Sequence, residues 1–176
     1  LNSMAGKSIR LLQIITSPHL YRELFRWLVY YLYEHVLPLK NLQVGTDPEI
    51  HPTVSLRFEK NIHLGNKIVL DMNCCIWASP NSKITVGDNT GVGPGTIIIS
   101  SNHSFFSKES YTEQPINEKD IVIGKNVWIG ANSSILAGAH IGDNVIIGSG
   151  VVVTGRVPED SIVVSGSRKL SMTKRR

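Results

Sequence analysis

Few residues of this chain have the right type and setting for chemistry. His103 stands in Ser100-Ser101-Asn102-His103-Ser104-Phe105-Phe106, at the head of a polar stretch that runs to Asp120. A neutral imidazole is the natural base for drawing a proton from an alcohol or an amine near neutral pH. Such a base works better when something orients its second ring nitrogen. Asp71, Asp88, Asn89, Asn102 or a backbone carbonyl could do so, and the sequence does not choose among them. Cys74 and Cys75 are neighbours, which cannot form an ordinary structural disulfide. No cysteine or serine is placed as an activated nucleophile with a base, so no covalent intermediate is expected. Gly91-Val92-Gly93-Pro94-Gly95 has the glycines of a phosphate loop but leads into no helical pattern. His51, His63 and His140 lie apart from His103, so a three-histidine metal centre is not expected.

Composition narrows the setting. Hydrophobic residues make up 41% and charged residues 18%, enough apolar matter for a packed core in one domain. The net charge is +4, and Arg168, Lys169, Lys174, Arg175 and Arg176 supply much of it from a basic tail over 167–176. That surplus does not argue for a nucleic-acid partner. The longest apolar run, Trp27 to Tyr33, is too short to span a bilayer, and no secretory signal is visible. A cytoplasmic location is therefore expected, and the glycosylation-like triplets Asn102-His103-Ser104 and Asn132-Ser133-Ser134 read as accidental.

Two kinds of element must position these residues. Residues 4–40 read as a helical segment. Ser17-Pro18 is a good start, with Ser17 expected to cap and Pro18 suited to the first turn. Leu20, Leu24, Leu28, Leu32 and Val36 form an apolar stripe flanked by Tyr21, Phe25 and Val29, and Pro38 is expected to end it. This face either packs on the rest of the fold or, with Arg22 and Arg26 beside it, rests on a membrane surface or a lipid-linked substrate.

Residues 41–166 carry a repeat. Ile123, Ile129, Ile135, Ile141, Ile147 and Val153 are spaced by six, as are Val86, Val92 and Ile98, then Leu64, Leu70 and Ile76, then Val44, Ile50 and Leu56. One residue past the aliphatic is often Gly, the third past it is Asn or Gly, and the fourth is small or β-branched. This describes a very short strand and a sharp corner every six residues, with Asn or Gly taking positive φ and the aliphatic and small residues pointing inward. The spacing slips to eight between Leu56 and Leu64 and to ten between Ile76 and Val86, and it stops altogether over 100–120. A long excursion from a regular solenoid is usually functional. Trp128 sits one before an inward position and should face outward.

On these residues the chain resembles the hexapeptide-repeat acyltransferases, in particular the galactoside, maltose and surface-polysaccharide O-acetyltransferase branch. The resemblance implies a mainly β fold: a left-handed parallel β-helix of about five coils behind an N-terminal helical segment. It implies acetyl-coenzyme A as acyl donor, no metal, and a homotrimer with sites between subunits. His103, at the start of the excursion and upstream of Ile123-Gly124-Lys125-Asn126-Val127-Trp128-Ile129-Gly130, matches the family's catalytic base. Trp128 and Gly130 would lie by the donor, the Ala131 N–H would face the oxyanion, and Ser149 and Thr154 would line the pantetheine arm. Arg156, Arg168 and Lys169 are candidates for the nucleotide phosphates, although Val153-Thr154-Gly155-Arg156 and Ser165-Gly166-Ser167-Arg168-Lys169 depart from the family's usual segments. The acceptor expected is a sugar hydroxyl. An amino-sugar, sugar-nucleotide or antibiotic amine is the alternative, and a non-catalytic scaffold is the alternative of another class.

Overall fold

The computed structural model describes residues 8, 12–104, 110 and 112–165, together with the backbone of 170–174. The repeat winds into a three-sided parallel β-helix. The first face stacks Gln43–Val44, Ile62–Leu64, Ile84–Val86, Ile121–Ile123, His140–Ile141 and Arg156–Val157. The second stacks Glu49–Ile50, Val69–Leu70, Gly91–Val92, Trp128–Ile129, Ile146–Ile147 and Ser161–Ser165, and the antiparallel strand Leu170–Lys174 closes its far end. The third stacks Ser55–Arg57, Cys75–Trp77, Ile97–Ile99, Ser134–Leu136 and Val152–Val153.

The predicted ladders are the core. Leu70, Val92, Ile129 and Ile147 are buried in register on one side, and Leu56, Ile76, Ile98, Ile135 and Val153 on another. The ladder frays at its start, where Val44 is exposed and Ile50 only partly buried. The corner residues behave as their types require: Asn73, Asn89, Asn126, Asn132 and Asn144 all take positive φ. The small inward residues include buried hydroxyls, and each is satisfied. Thr96 Oγ1 donates to the Gly130 carbonyl at 3.1 Å, and Ser133 Oγ lies 2.8 Å from the same oxygen.

The departures from period six share one edge. On the first-to-second and second-to-third edges every step between inward aliphatics is six residues. On the third-to-first edge the steps are eight (Leu56 to Leu64), ten (Ile76 to Val86), twenty-five (Ile98 to Ile123), six (Ile135 to Ile141) and four (Val153 to Val157). All the irregular chain is therefore stacked in one place.

The helical segment differs in part from expectation. The helix α1, Pro18–Tyr31, begins where Ser17-Pro18 predicted, but the Ser17 side chain makes no cap hydrogen bond. Pro38 does not end the helical path: a π-helical turn over Leu32–Val36 leads to a 3-10 turn, Pro38–Lys40, in which Pro38 fits as the first residue. No residue of α1 is buried, so its apolar stripe does not pack into the fold. Among the described residues, no helix is long and apolar enough to cross a membrane.

Candidate functional site

The excursion that carries His103 is a hairpin. Ser101–His103 pairs antiparallel with Ile116–Glu118, His103 lying opposite Ile116. Its root is tied to the ten-residue slip beside it. The buried hydroxyls of Ser82 and Ser100 meet at 2.7 Å, the Glu118 carboxylate accepts from the Asn81 N–H at 2.6 Å, and Asp120 Oδ1 accepts from the Lys83 N–H at 2.7 Å. The smaller slip supports that one in turn, because Asn61 Nδ2 donates to the Ser79 carbonyl at 2.7 Å. Three irregular corners therefore brace one another and hold the imidazole, which is exposed, at the third-to-first edge.

Of the residues considered for orienting His103, only Asn102 shares its hairpin. Asp88 and Asn89 lie on the first-to-second edge, where Asp88 Oδ1 accepts from the Asn66 N–H at 2.8 Å in a corner ladder. Asp71 lies on the second-to-third edge.

A second group assembles on the second face and the edge after it. Trp128 is 49% exposed, as its position predicted. Its indole lies flat on Gly91: a Cβ there would stand 2.8 Å from Trp128 Cε3. A groove of about 350 Å³ runs beside it, with Lys67, Asn89 and Ile146 in its walls. Gly130 is buried beneath the next coil, where a Cβ would fall 2.5 Å from the Ser149 nitrogen. Among the described residues the Ala131 N–H meets no acceptor. Ser149 is exposed one coil further on. Rigid backbone with a free N–H and no side chain in the way can take a developing negative charge with little rearrangement.

Thr154 and Arg156 are both exposed and stand apart from that group, on the third-to-first edge. They border a recess of about 190 Å³ with Val152 and Val163. Arg156 also borders a recess of about 400 Å³ with His140, Asp143 and Glu159. Arg168 and Lys169 lie outside the described residues. A single chain thus brings Trp128, Gly130, Ala131 and Ser149 together, and places His103, Thr154 and Arg156 along a different edge. Among the described residues no group of three His, Cys, Asp or Glu side chains is arranged to hold a metal ion.

One cluster was not anticipated. Glu34, just past α1, accepts from Ser55 Oγ and from Arg57 Nε at 3.1 Å. The Trp77 indole donates to Ser55 Oγ at 2.7 Å, and the Arg57 guanidinium lies 3.9 Å above that ring. Burial works to raise the Glu34 pKa, but the bonds from Ser55 and Arg57 and the charges of Arg57 and His35 outweigh it, so the carboxyl sits below its ordinary range. A signal was present in the sequence: Trp77 follows Ile76 at the position where the repeat prefers glycine.

Residues 120–155 match the bacterial transferase hexapeptide (six repeats) family. The galactoside O-acetyltransferase of Escherichia coli K12 is 32% identical over 70% of this chain and 59% of its own length. The repeat over residues 120–155 is thus similar to that of the bacterial hexapeptide transferases. A maltose O-acetyltransferase from Clostridium difficile 630 superposes with a TM-score of 0.67 at 28% identity, over 78% of this chain and 72% of that one. A galactoside acetyltransferase in complex with coenzyme A gives 0.59 at 28% identity, over 76% and 64%. This hexapeptide-repeat chain spans less than two thirds of the length of the first curated relatives it matches.

Proposed function

We propose that this chain is an acetyl-coenzyme A-dependent O-acetyltransferase acting on a saccharide hydroxyl. The observation that carries the reading is a hexapeptide-repeat chain, similar to galactoside and maltose O-acetyltransferases, whose one long excursion presents His103. The thioester supplies the acetyl group. His103 takes the proton from the acceptor hydroxyl as its oxygen bonds to the thioester carbonyl carbon. The Ala131 N–H donates to the oxyanion. The carbon–sulfur bond then breaks and the imidazolium returns its proton to the thiolate. Neither cysteine suits the nucleophile's role: Cys74 is buried and Cys75 half-buried, and burial pushes both thiols up.

Trp128, Gly130, Ala131 and Ser149 would hold the donor's reactive end and arm. Thr154, Arg156, Arg168 and Lys169 would take its far end. Because His103 and Trp128 stand on different parts of the prism, a complete site would combine the hairpin of one chain with the second face of a neighbour, and a homotrimer closes that arrangement with like contacts. The coenzyme-bound neighbour supports this choice of donor. The exposed apolar stripe of α1, with Arg22 and Arg26 beside it, supports contact with a membrane surface or a lipid-linked acceptor. Such a donor suits a cytoplasmic location.

The test is thiol release from acetyl-coenzyme A across a panel of sugars and amino sugars. Wild type should turn over a hydroxyl acceptor, and His103→Ala should fall by about 10²–10⁴-fold. Turnover only with amines would favour the N-acetyl reading. No turnover together with no coenzyme binding would leave a scaffold. Mixed trimers of His103→Ala and Trp128→Ala chains should recover part of the lost rate, because some interfaces regain one intact copy of each residue.

A further inference from the structure

A second cavity lies away from the donor groove. It occupies about 470 Å³ between α1 with its π-helical turn and the third face, and Trp27, Tyr30, Glu34, Ser55, Arg57 and Trp77 are among its walls. We propose that this cleft is a saccharide subsite holding the non-reacting part of an acceptor built of two or more neutral sugar units. The proposal rests on the acetyltransferase reading above and names the part of the acceptor that this chain would recognise.

Three observations select the ligand class. The first is charge. The cleft's guanidinium is matched by its carboxylate, Arg57 Nη2 standing 3.1 Å from Glu34 Oε1, and His35 Nδ1 is engaged with the Val54 carbonyl at 2.8 Å, so the walls offer no unpaired guanidinium to an anion. The second is hydrogen-bonding capacity. Ser55 Oγ and two Arg57 nitrogens all converge on Glu34 Oε1, and Oε2 receives no donor among the described residues. A carboxylate oxygen left open beside a cleft is a strong acceptor for ligand hydroxyls. The third is the apolar wall. Trp27 is 61% and Tyr30 56% exposed, and both border the cleft. Flat aromatic faces beside a few fixed polar atoms suit the C–H face and hydroxyl rim of a sugar ring.

Position supplies the link to catalysis. The Trp77 carbonyl accepts from the Ser100 N–H at 3.1 Å, at the root of the hairpin. His103 is three residues further along, at most about 10 Å of extended strand. An acceptor seated in the cleft reaches the imidazole only when it is longer than a single ring.

Calorimetric titration of the full chain with glucose, maltose and maltotetraose tests this directly. Affinity should rise with length. It should fall by about tenfold or more in Trp27→Ala and in Glu34→Gln, the loss expected for one aromatic contact or one charge-assisted bond. Trp128→Ala should leave it unchanged. Trp27 is mostly exposed, so its variant should melt like wild type. In turnover, KM for the longest acceptor should rise in Trp27→Ala with kcat kept. Equal affinity in wild type and Trp27→Ala, or saturable binding of none of the three sugars, overturns the subsite. Length-dependent binding without thiol release would overturn the acetyltransferase reading and keep the subsite.

Discussion

Glycines at the corners and faces of the coils allow a prediction with opposite signs at two sites. Coils in a parallel stack repeat at roughly 4.8 Å, which leaves little room between corners. At Gly130 an added Cβ would stand 2.5 Å from the Ser149 nitrogen, 2.8 Å from Ser149 Oγ and 2.9 Å from the Gly148 carbonyl carbon. Ordinary contact begins near 3.4 Å, so the backbone must move by about 0.9 Å. It cannot do so freely, because the Gly130 N–H is bonded to the Ile147 carbonyl at 2.7 Å. Overpacking of this kind costs about 1–3 kcal/mol. For a chain of this size that is a fall in Tm of roughly 2–12 °C.

At Gly155 nothing lies within 4 Å and the backbone is outside the left-handed region. Alanine there should stabilise by about 0.4–1 kcal/mol, through the unfolded chain, and raise Tm by roughly 1–4 °C. Gly91 is the informative third case. Its added Cβ would meet only the Trp128 ring, which can swing. Gly91→Ala should therefore melt near wild type while KM for the acyl donor rises. Thermal melts at matched protein concentration and thiol-release kinetics read all three. If Gly130→Ala melts within a degree of wild type, or Gly155→Ala falls as far as Gly130→Ala, the stacking argument is wrong.

Other expectations follow from single residues. Glu34 has a folded pKa below its ordinary value, so the stability it lends to the docking of the α1 end is present at neutral pH and lost only as pH falls through that depressed value. Proteolysis of residues 32–42 should therefore speed up only below the ordinary carboxylate range of about 4.3, and a loosening that begins near neutral pH would refute this. Burial raises both cysteine thiols, so a disulfide reagent should modify the native protein slowly and the denatured chain quickly; equal rates would be the contrary result. Ile135 is fully buried between Ile98 and Val153, and Ile135→Ala should cost about 2–5 kcal/mol in denaturant unfolding. Tyr21, Phe25 and Leu28 of α1 are exposed, and Phe25→Glu should abolish co-sedimentation with anionic vesicles; a wild type that never sediments at low salt would end the membrane reading.

The parts of this fold visible from residues alone are those set by local chemistry. The period of six, the positive-φ asparagines and the buried small residues each follow from what one position must do, and each recurs often enough to be read. The outward facing of Trp128 came from phase alone. Of the Glu34–Ser55–Arg57–Trp77 cluster only Trp77, standing at the repeat's glycine position, left a mark in the sequence; the cluster joins a helix end to two coils about twenty residues apart, and no local pattern encodes that docking. The helical stripe was ambiguous for a related reason: periodicity says that a face is apolar but not what covers it. The end of the helical path was misread because proline is disfavoured inside a helix yet suits the first turn of a new one.

The two slips that looked like noise in the repeat are the strongest structural comment on the excursion. A solenoid tolerates extra residues only where they leave its inward ladder in phase, and here all of them leave by the third-to-first edge. The first-to-second edge is closed to such growth by side chains that reach from coil to coil, Asp88 to Asn66 and Asp143 to the Lys125 N–H at 2.7 Å. On the irregular edge the coil-to-coil bonds serve the insertions instead: Asn61 supports residues 79–80, and residues 81–83 support the hairpin. Each insertion makes a base for a longer one on the next coil, so a long hairpin can project from a rigid prism without a core of its own. The regular faces can then serve a ligand that needs fixed backbone, and the built-up edge one that needs a presented side chain. This division of labour is why the two halves of the proposed site stand on different surfaces of the same chain.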